Sequence, residues 1–173
     1  MITRRLTRLI GELLAVTLLT GLLTTGSNVR AQGGKPQPEK IPEKVMSTLK
    51  AKFPKAKIQK WAREKEDDVV VYDFEFTQNS RKFEADIRED GTILNWEEAI
   101  SPKALPKAVR KTVDTKYPKA TIKEAMRIST VKNKKSTLEG YEIVLVTADK
   151  KEVEITVAPN GKIIETGEEK TQK

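Results

Sequence analysis

The chain has 173 residues and a net charge of +8, with neither cysteine nor histidine. Those two absences exclude Ser-His-Asp and Cys-His catalysis, thiolate or imidazole zinc sites, and histidine acid–base chemistry. They also rule out disulfides, so the fold must rest on its core; a domain of about 150 residues can bury near 70% of its unfolded surface.

The first 31 residues read as a cleaved export signal. Arg4, Arg5 and Arg8 form a basic start, Leu13 to Leu23 an apolar core, and Val29-Arg30-Ala31 a small-residue cleavage pattern. A membrane span needs about 20 apolar residues, and Glu12 with Thr24-Thr25-Gly26 cuts this stretch short. The predicted address is therefore periplasmic or secreted, with no membrane contact after cleavage behind Ala31. Losing Arg4, Arg5, Arg8, Arg30 and Glu12 leaves 29 basic against 24 acidic residues, a charge of +5. Lys interleaved with Glu in this way points to solubility and not to nucleic acid. Residues 32–40, with Gly33, Gly34, Pro36 and Pro38, read as a flexible leader.

Residues 41–100 form a first unit. Val45, Met46, Leu49 and Phe53 share one face at helical spacing, Pro42 suits the first turn, and Pro54 ends the helix. The period then changes to two. Ile58 opens a strand; Val70, Tyr72, Phe74 and Phe76 alternate with Val71, Asp73 and Glu75. Phe83, Ala85 and Ile87 alternate with Lys82, Glu84, Asp86 and Arg88. Asp90-Gly91 marks a tight turn before Ile93-Leu94. A short link around Ser101-Pro102 leads to a second unit over 101–168. There Leu105, Val109, Val113 and Tyr117 lie between Pro106 and Pro118, and Ile122 opens the strands. Tyr141, Ile143 and Leu145, then Val153, Ile155 and Val157, precede Asn160-Gly161 and Ile163-Ile164. Residues 169–173 are expected to be a disordered tail.

The units are copies. Pro42, Val45, Thr48, Lys52, Pro54, Lys55, Ala56 and Ile58 recur as Pro106, Val109, Thr112, Lys116, Pro118, Lys119, Ala120 and Ile122, an offset of 64. The expected class is α+β: two tandem units of one helix followed by a four-stranded antiparallel meander, with the helices on one face of the sheet or sheets. The two sheets could run into one.

Strand parity yields the binding candidates. With Ile58 and Ala62 facing the core, Trp61 points to the opposite side with Val69 and Val71; its counterpart in unit two is Ala125. A tryptophan on an uncovered sheet is a typical hot spot, unless the other unit, the leader or the tail covers it. Trp96 is a second candidate whose side parity leaves open. The loop after each first strand differs in charge: Glu64, Lys65, Glu66, Asp67 and Asp68 in one copy, Lys132, Lys134 and Lys135 in the other. These loops could read a partner's charges, although solvated hairpins are the simpler reading. The acidic loop lacks the spacing of an EF-hand. No phosphate-cradling glycine loop occurs and nothing marks a Ser–Lys pair, so neither metal nor cofactor nor enzyme activity is expected.

Leu105-Pro106, Tyr117-Pro118-Lys119-Ala120, Tyr141-Glu142-Ile143, Val153-Glu154-Ile155 and Asn160-Gly161-Lys162-Ile163-Ile164 resemble the PepSY-like family, also described as beta-lactamase-inhibitor-like. Phe53-Pro54-Lys55-Ala56, Phe74-Glu75-Phe76 and Asp90-Gly91-Thr92-Ile93 are similar to the same motif, so two copies cover most of 41–166. The resemblance implies a tandem helix-plus-sheet fold in exported bacterial proteins that bind or inhibit other proteins, peptidases and beta-lactamases being precedents. It carries over no catalytic residues. The expected function is an exported, non-enzymatic protein-binding module, an inhibitor of a secreted or periplasmic enzyme such as a peptidase. The expected partner is a protein of the envelope or medium, not nucleic acid. The alternative is a carrier or envelope stress protein holding a small ligand between sheet and helices.

Overall fold

The computed structural model describes residues 40–66, 68–167 and 170–171. The expected signal and almost all of the leader lie outside them, as do most residues of the expected tail.

Helix α1 (Glu43–Lys52) leads into β1 (Lys57–Glu66), β2 (Val69–Gln78), β3 (Arg81–Arg88) and β4 (Ile93–Ala99). A single 3-10 turn over Pro102–Ala104 reaches α2 (Lys107–Lys116). The pattern then repeats through β5 (Thr121–Lys132), β6 (Lys135–Val146), β7 (Lys151–Val157) and β8 (Ile163–Thr166), with a short β9 (Lys170–Thr171) beside β7. The class is α+β as expected. The two meanders are one sheet: β1 to β8 run in sequence order, each antiparallel to the next, and β4 joins β5 from Asn95 opposite Thr130 to Ala99 opposite Met126.

The repeated landmarks prove to be chain-turning devices. Pro42 and Pro106 stand at the N-caps, one residue before the helical turns. At the other ends the Phe53 and Tyr117 amides donate to the Leu49 and Val113 carbonyls at 2.7 and 2.8 Å. The Ala56 and Ala120 amides then donate to the Phe53 and Tyr117 carbonyls, so each Pro-Lys-Ala run closes a turn into a strand. Thr48 and Thr112 tie their helices to the following sheet. Their hydroxyls donate to the carbonyls of Gly91 (3.1 Å) and Gly161 (2.6 Å), glycines held at φ 83° and 88°. A Cβ on Gly161 would lie 2.9 Å from the Ala108 carbonyl oxygen, so helix and turn approach closely only because this residue has none.

Both helices cover the same side of the sheet, over two separate cores. Under α1, Val45, Leu49 and Phe53 meet Tyr72, Phe74, Phe76, Phe83, Ala85 and Ile87. Under α2, Val109 and Val113 meet Ile143, Leu145, Val153, Ile155 and Val157. The first core is aromatic: Phe53 sits 4.8 Å from Phe76 and 5.7 Å from Phe83 between ring centroids. Between the cores the helix side turns polar. Glu98, buried on β4, pairs with Arg81 of β3 and Arg127 of β5. Trp96 donates its indole N–H to Ser136 Oγ at 3.2 Å, and Lys52 Nζ reaches the same hydroxyl. These groups fasten unit one to unit two across the β4–β5 seam.

Candidate functional site

Side chains alternate along a strand, so burying one set under the helices fixes which set points the other way. The register then assembles that second set into rows. One row runs Lys60, Glu75, Glu84, Glu97, Ile128 across β1 to β5. A second runs Ala62, Asp73, Asp86, Asn95, Thr130, and a third Ala99, Met126, Glu142, Thr156. This face, opposite α1 and α2 and called helix-free with respect to those two helices, carries a dense set of carboxylates beside an apolar centre. Val71, Met126, Ile128 and Val144 are buried there, as are Glu84, Glu97 and Glu142, and neither helix lies on this side.

The electrostatics follow from the register. Burial, reinforced by Asp86, Glu84, Glu75 and Glu64, pushes the Asp73 carboxyl up to about 7. Asn95 relieves part of that crowding by donating from Nδ2 to Asp86 Oδ2 at 2.5 Å. Lys82 stands among the acids. Burial works against its charge, yet Glu124 at 2.8 Å and Glu84 at 3.2 Å outweigh it and raise its pKa. Since Glu124 belongs to β5 and Lys82 to β3, this pair spans the β4 strand between the units.

Several expected site residues lie elsewhere. Trp61 is on the helix side, not the opposite one: it pairs with Phe74, stacks on Tyr72 at 6.3 Å and packs against the first core. The parity argument failed because the β1–β2 register shifts between Ile58 and Lys60, and one extra residue reverses the facing of everything after it. The same shift falls between Ile122 and Glu124 in unit two, so Ala125, the counterpart of Trp61, is a core residue as well. Ala62 accordingly faces away from the helices, opposite Asp73. Trp96 is also on the helix side, its ring 5.9 Å from Phe53 and 6.4 Å from Phe83. Ile93 shares that side because a further shift falls between Asp86 and Ile87.

Val71 lies on the helix-free face, buried, with Val69 half-buried on the same parity. The charged loops stand at one end of the sheet. Asp68 pairs with Lys65 at 2.8 Å; Lys134 and Lys135 are exposed around a two-residue turn with Asn133 and Lys134 at positive φ. Asp67 and the side chain of Glu66 lie outside the described residues. Four strand spacings, about 19 Å, separate the two hairpins, so their side chains do not pair with each other.

The carboxylate rows and the Met126–Ile128–Val144 centre were missed in the sequence. Their signal is present in it: Asp73 and Glu75, then Glu84 and Asp86, occupy the non-core parity of adjacent strands, whereas α1 and α2 carry Lys44, Lys50, Lys107 and Lys116.

A helix followed by an antiparallel meander, twice over in one sheet, can be set against known proteins. A family model described as beta-lactamase-inhibitor-like, PepSY-like matches residues 71–165. The chain belongs to this PepSY-like family. A second model, for the peptidase propeptide and YPEB domain, matches residues 42–95, so unit one carries its own match. Among solved structures, the PepSY-like chain is similar to a BLIP-like protein from Bacteroides fragilis. The identity is 14% and the TM-score 0.56, with 79% of this chain and 91% of that one covered. It is likewise similar to a DUF2874 family protein from Bacteroides uniformis, at 18% identity and TM-score 0.56, covering 72% and 87%. At these identities the likeness is one of fold. No curated protein matches.

Proposed function

We propose that this PepSY-like chain is an exported, non-enzymatic protein-binding module that inhibits a secreted or periplasmic enzyme, a peptidase being the leading target class. The observation that carries the reading is the sheet face opposite α1 and α2, where apolar and carboxylate side chains sit together. An antiparallel sheet needs only one face on a core, and the two helix-side cores already meet that need. Family membership and the fold of the BLIP-like neighbour support a binding role; fold alone does not establish one. The proposed surface keeps Val69 and Val71 and releases Trp61 and Trp96 to the scaffold. Between α1 and the sheet, the place a carried ligand would take is filled by Phe53, Phe76 and Phe83.

The test is a titration of the purified protein into the peptidase and beta-lactamase activities exported by its own host. Stoichiometric loss of one activity is the expected result. Full retention of both at large molar excess, with no partner held on a column of the protein, would overturn the proposal.

A further inference from the structure

We propose that the outer edge of β1 pairs antiparallel with β1 of a second copy of this chain, joining two sheets across a two-fold axis. The inference goes beyond the binding reading above and does not depend on it.

The two ends of the sheet are built differently. At one end the strand beside β7 is divided into β8 (Ile163–Thr166) and β9 (Lys170–Thr171), and between them the Gly167 amide donates to the Glu154 carbonyl at 2.8 Å. At the other end β1 is ten residues long and, among the described residues, pairs with β2 alone. Its register on β2 is unbroken from Lys60 to Glu66. A long, regular edge is a template for another strand unless something blocks it. β1 holds no proline, and its one register shift lies before Lys60. Lysines guard many edges, but here they alternate with glutamates, and a second copy can match them.

Glu66 and Val69 close the β1–β2 hairpin. A closing pair exchanges both its backbone bonds, and every second residue then turns its N–H and C=O the same way. Glu66, Glu64 and Ala62 therefore bond to β2, whereas Lys65, Arg63 and Trp61 aim theirs outward. Unit two shows that this edge accepts a strand. At the 64-residue offset, residues 62–66 correspond to 126–130, the stretch of β5 that β4 occupies.

The side chains select the occupant. Centred on Ala62, an antiparallel second copy sets Lys60 opposite Glu64 twice and Trp61 opposite Arg63 twice. The first pairing joins opposite charges on one face; the second lays a guanidinium against an indole on the other. Lys60, Arg63 and Glu64 are exposed and Trp61 is half-buried. Centring on Arg63 would oppose two guanidinium groups, and centring on Trp61 would leave Lys60 opposite Ala62. Lys60 and Arg63 keep contacts within their own chain. The Lys60 pair with Glu75 at 3.4 Å is exposed, and such pairs are worth too little to bar a new partner. Docking β8 on β1 of the next copy would build an open filament; the self-matching of β1 favours a closed dimer instead. Paired residues of a ladder share a face, so the helices of both copies lie on one side. One strand pairing buries less than the roughly 1,200 Å² of a stable interface, which makes the dimer weak and concentration-dependent.

The chain as recovered from its host is followed by sedimentation velocity from micromolar to millimolar concentration. Its mean mass should rise toward that of two copies and stop there, while amide exchange slows at Trp61, Arg63 and Lys65. Arg63→Pro removes an outward N–H and no bond to β2, and should abolish the association. Lys60→Glu and Glu64→Lys should each weaken it about tenfold, since two cross-strand pairs are reversed at once. Mixing these two variants in equal amounts should restore it, because every such pair then joins opposite charges. The mixture keeps the test decisive if Arg63→Pro unfolds. Monomers throughout, growth beyond two copies, indifference to the charge variants, or a mixture that stays apart would each overturn the inference. So would protection of these amides only when a different protein is bound, for the edge would then serve that partner's strand.

Discussion

The two faces of one sheet obey opposite rules. On the helix side, Phe74, Phe76, Ile87, Ile143, Leu145 and Ile155 are almost wholly buried among apolar neighbours, and polar groups there, such as Glu98 between Arg81 and Arg127, have partners. On the other side, carboxylates with partners of their own, among them Glu84, Glu97 and Glu142, stand in rows next to buried apolar groups. Both sets come from the same strands, one residue apart. Apolar burial therefore serves both faces, in two cores under the helices and around Met126, Ile128 and Val144 on the other side, and the second face differs in setting carboxylates among those groups.

The largest break in this comparison comes from the helix side. Phe74→Ala removes a fully buried ring at the centre of the first core and should cost about 3–5 kcal/mol, read as a fall in the denaturant midpoint. A loss under about 1 kcal/mol would mean that the first core is not the main support of unit one. Next comes Gly161→Ala, which puts a Cβ at φ 88° and 2.9 Å from the Ala108 carbonyl oxygen. It should cost roughly 1–3 kcal/mol and weaken the Thr112 contact to this turn. An unchanged melting temperature would show that the turn can move away from α2.

The third effect has the opposite sign. Asp73 has an ordinary value of 3.8 and is pushed up to about 7 in the fold by burial and by Asp86, Glu84, Glu75 and Glu64. A carboxyl that keeps its proton longer when folded contributes stability in full below about pH 3.8, and this is lost as the pH rises through about 7. Asp73→Asn cannot ionise, so it should raise the melting temperature at pH 8 and leave it nearly unchanged near pH 3.5. An Asn variant no more stable than the parent at pH 8 would mean that the crowding of carboxylates carries no cost.

Much of the scaffold was legible in the chain itself. The helix period in Val45, Leu49 and Phe53, the two-residue period in Tyr72, Phe74 and Phe76, and the 64-residue recurrence of Pro-Lys-Ala are local patterns that require no knowledge of neighbours. Turn residues Gly91 and Gly161 were legible for the same reason. The facing of Trp61 was not. A single unpaired residue at the start of β1 leaves no compositional trace, yet it inverts every later position on that strand. The recurrence did hold a usable hint, because Ala125 is the counterpart of Trp61 and a small apolar residue suits a core.

What the sequence determined by itself is the list of elements, their order and the period within each, since these depend on contacts along the chain. What only the tertiary structure decided is which side chains meet across strands: the continuity of β4 with β5, the inward turn of both tryptophans, and the rows in which Glu75, Glu84 and Glu97 come together. Glu75 and Glu97 are 22 positions apart in the chain, and only hydrogen-bond register, set by bulges and turns, makes them members of one row. The proposed binding surface is made of such rows, which is why alternation pointed to an acidic parity while the fold was needed to make it a face.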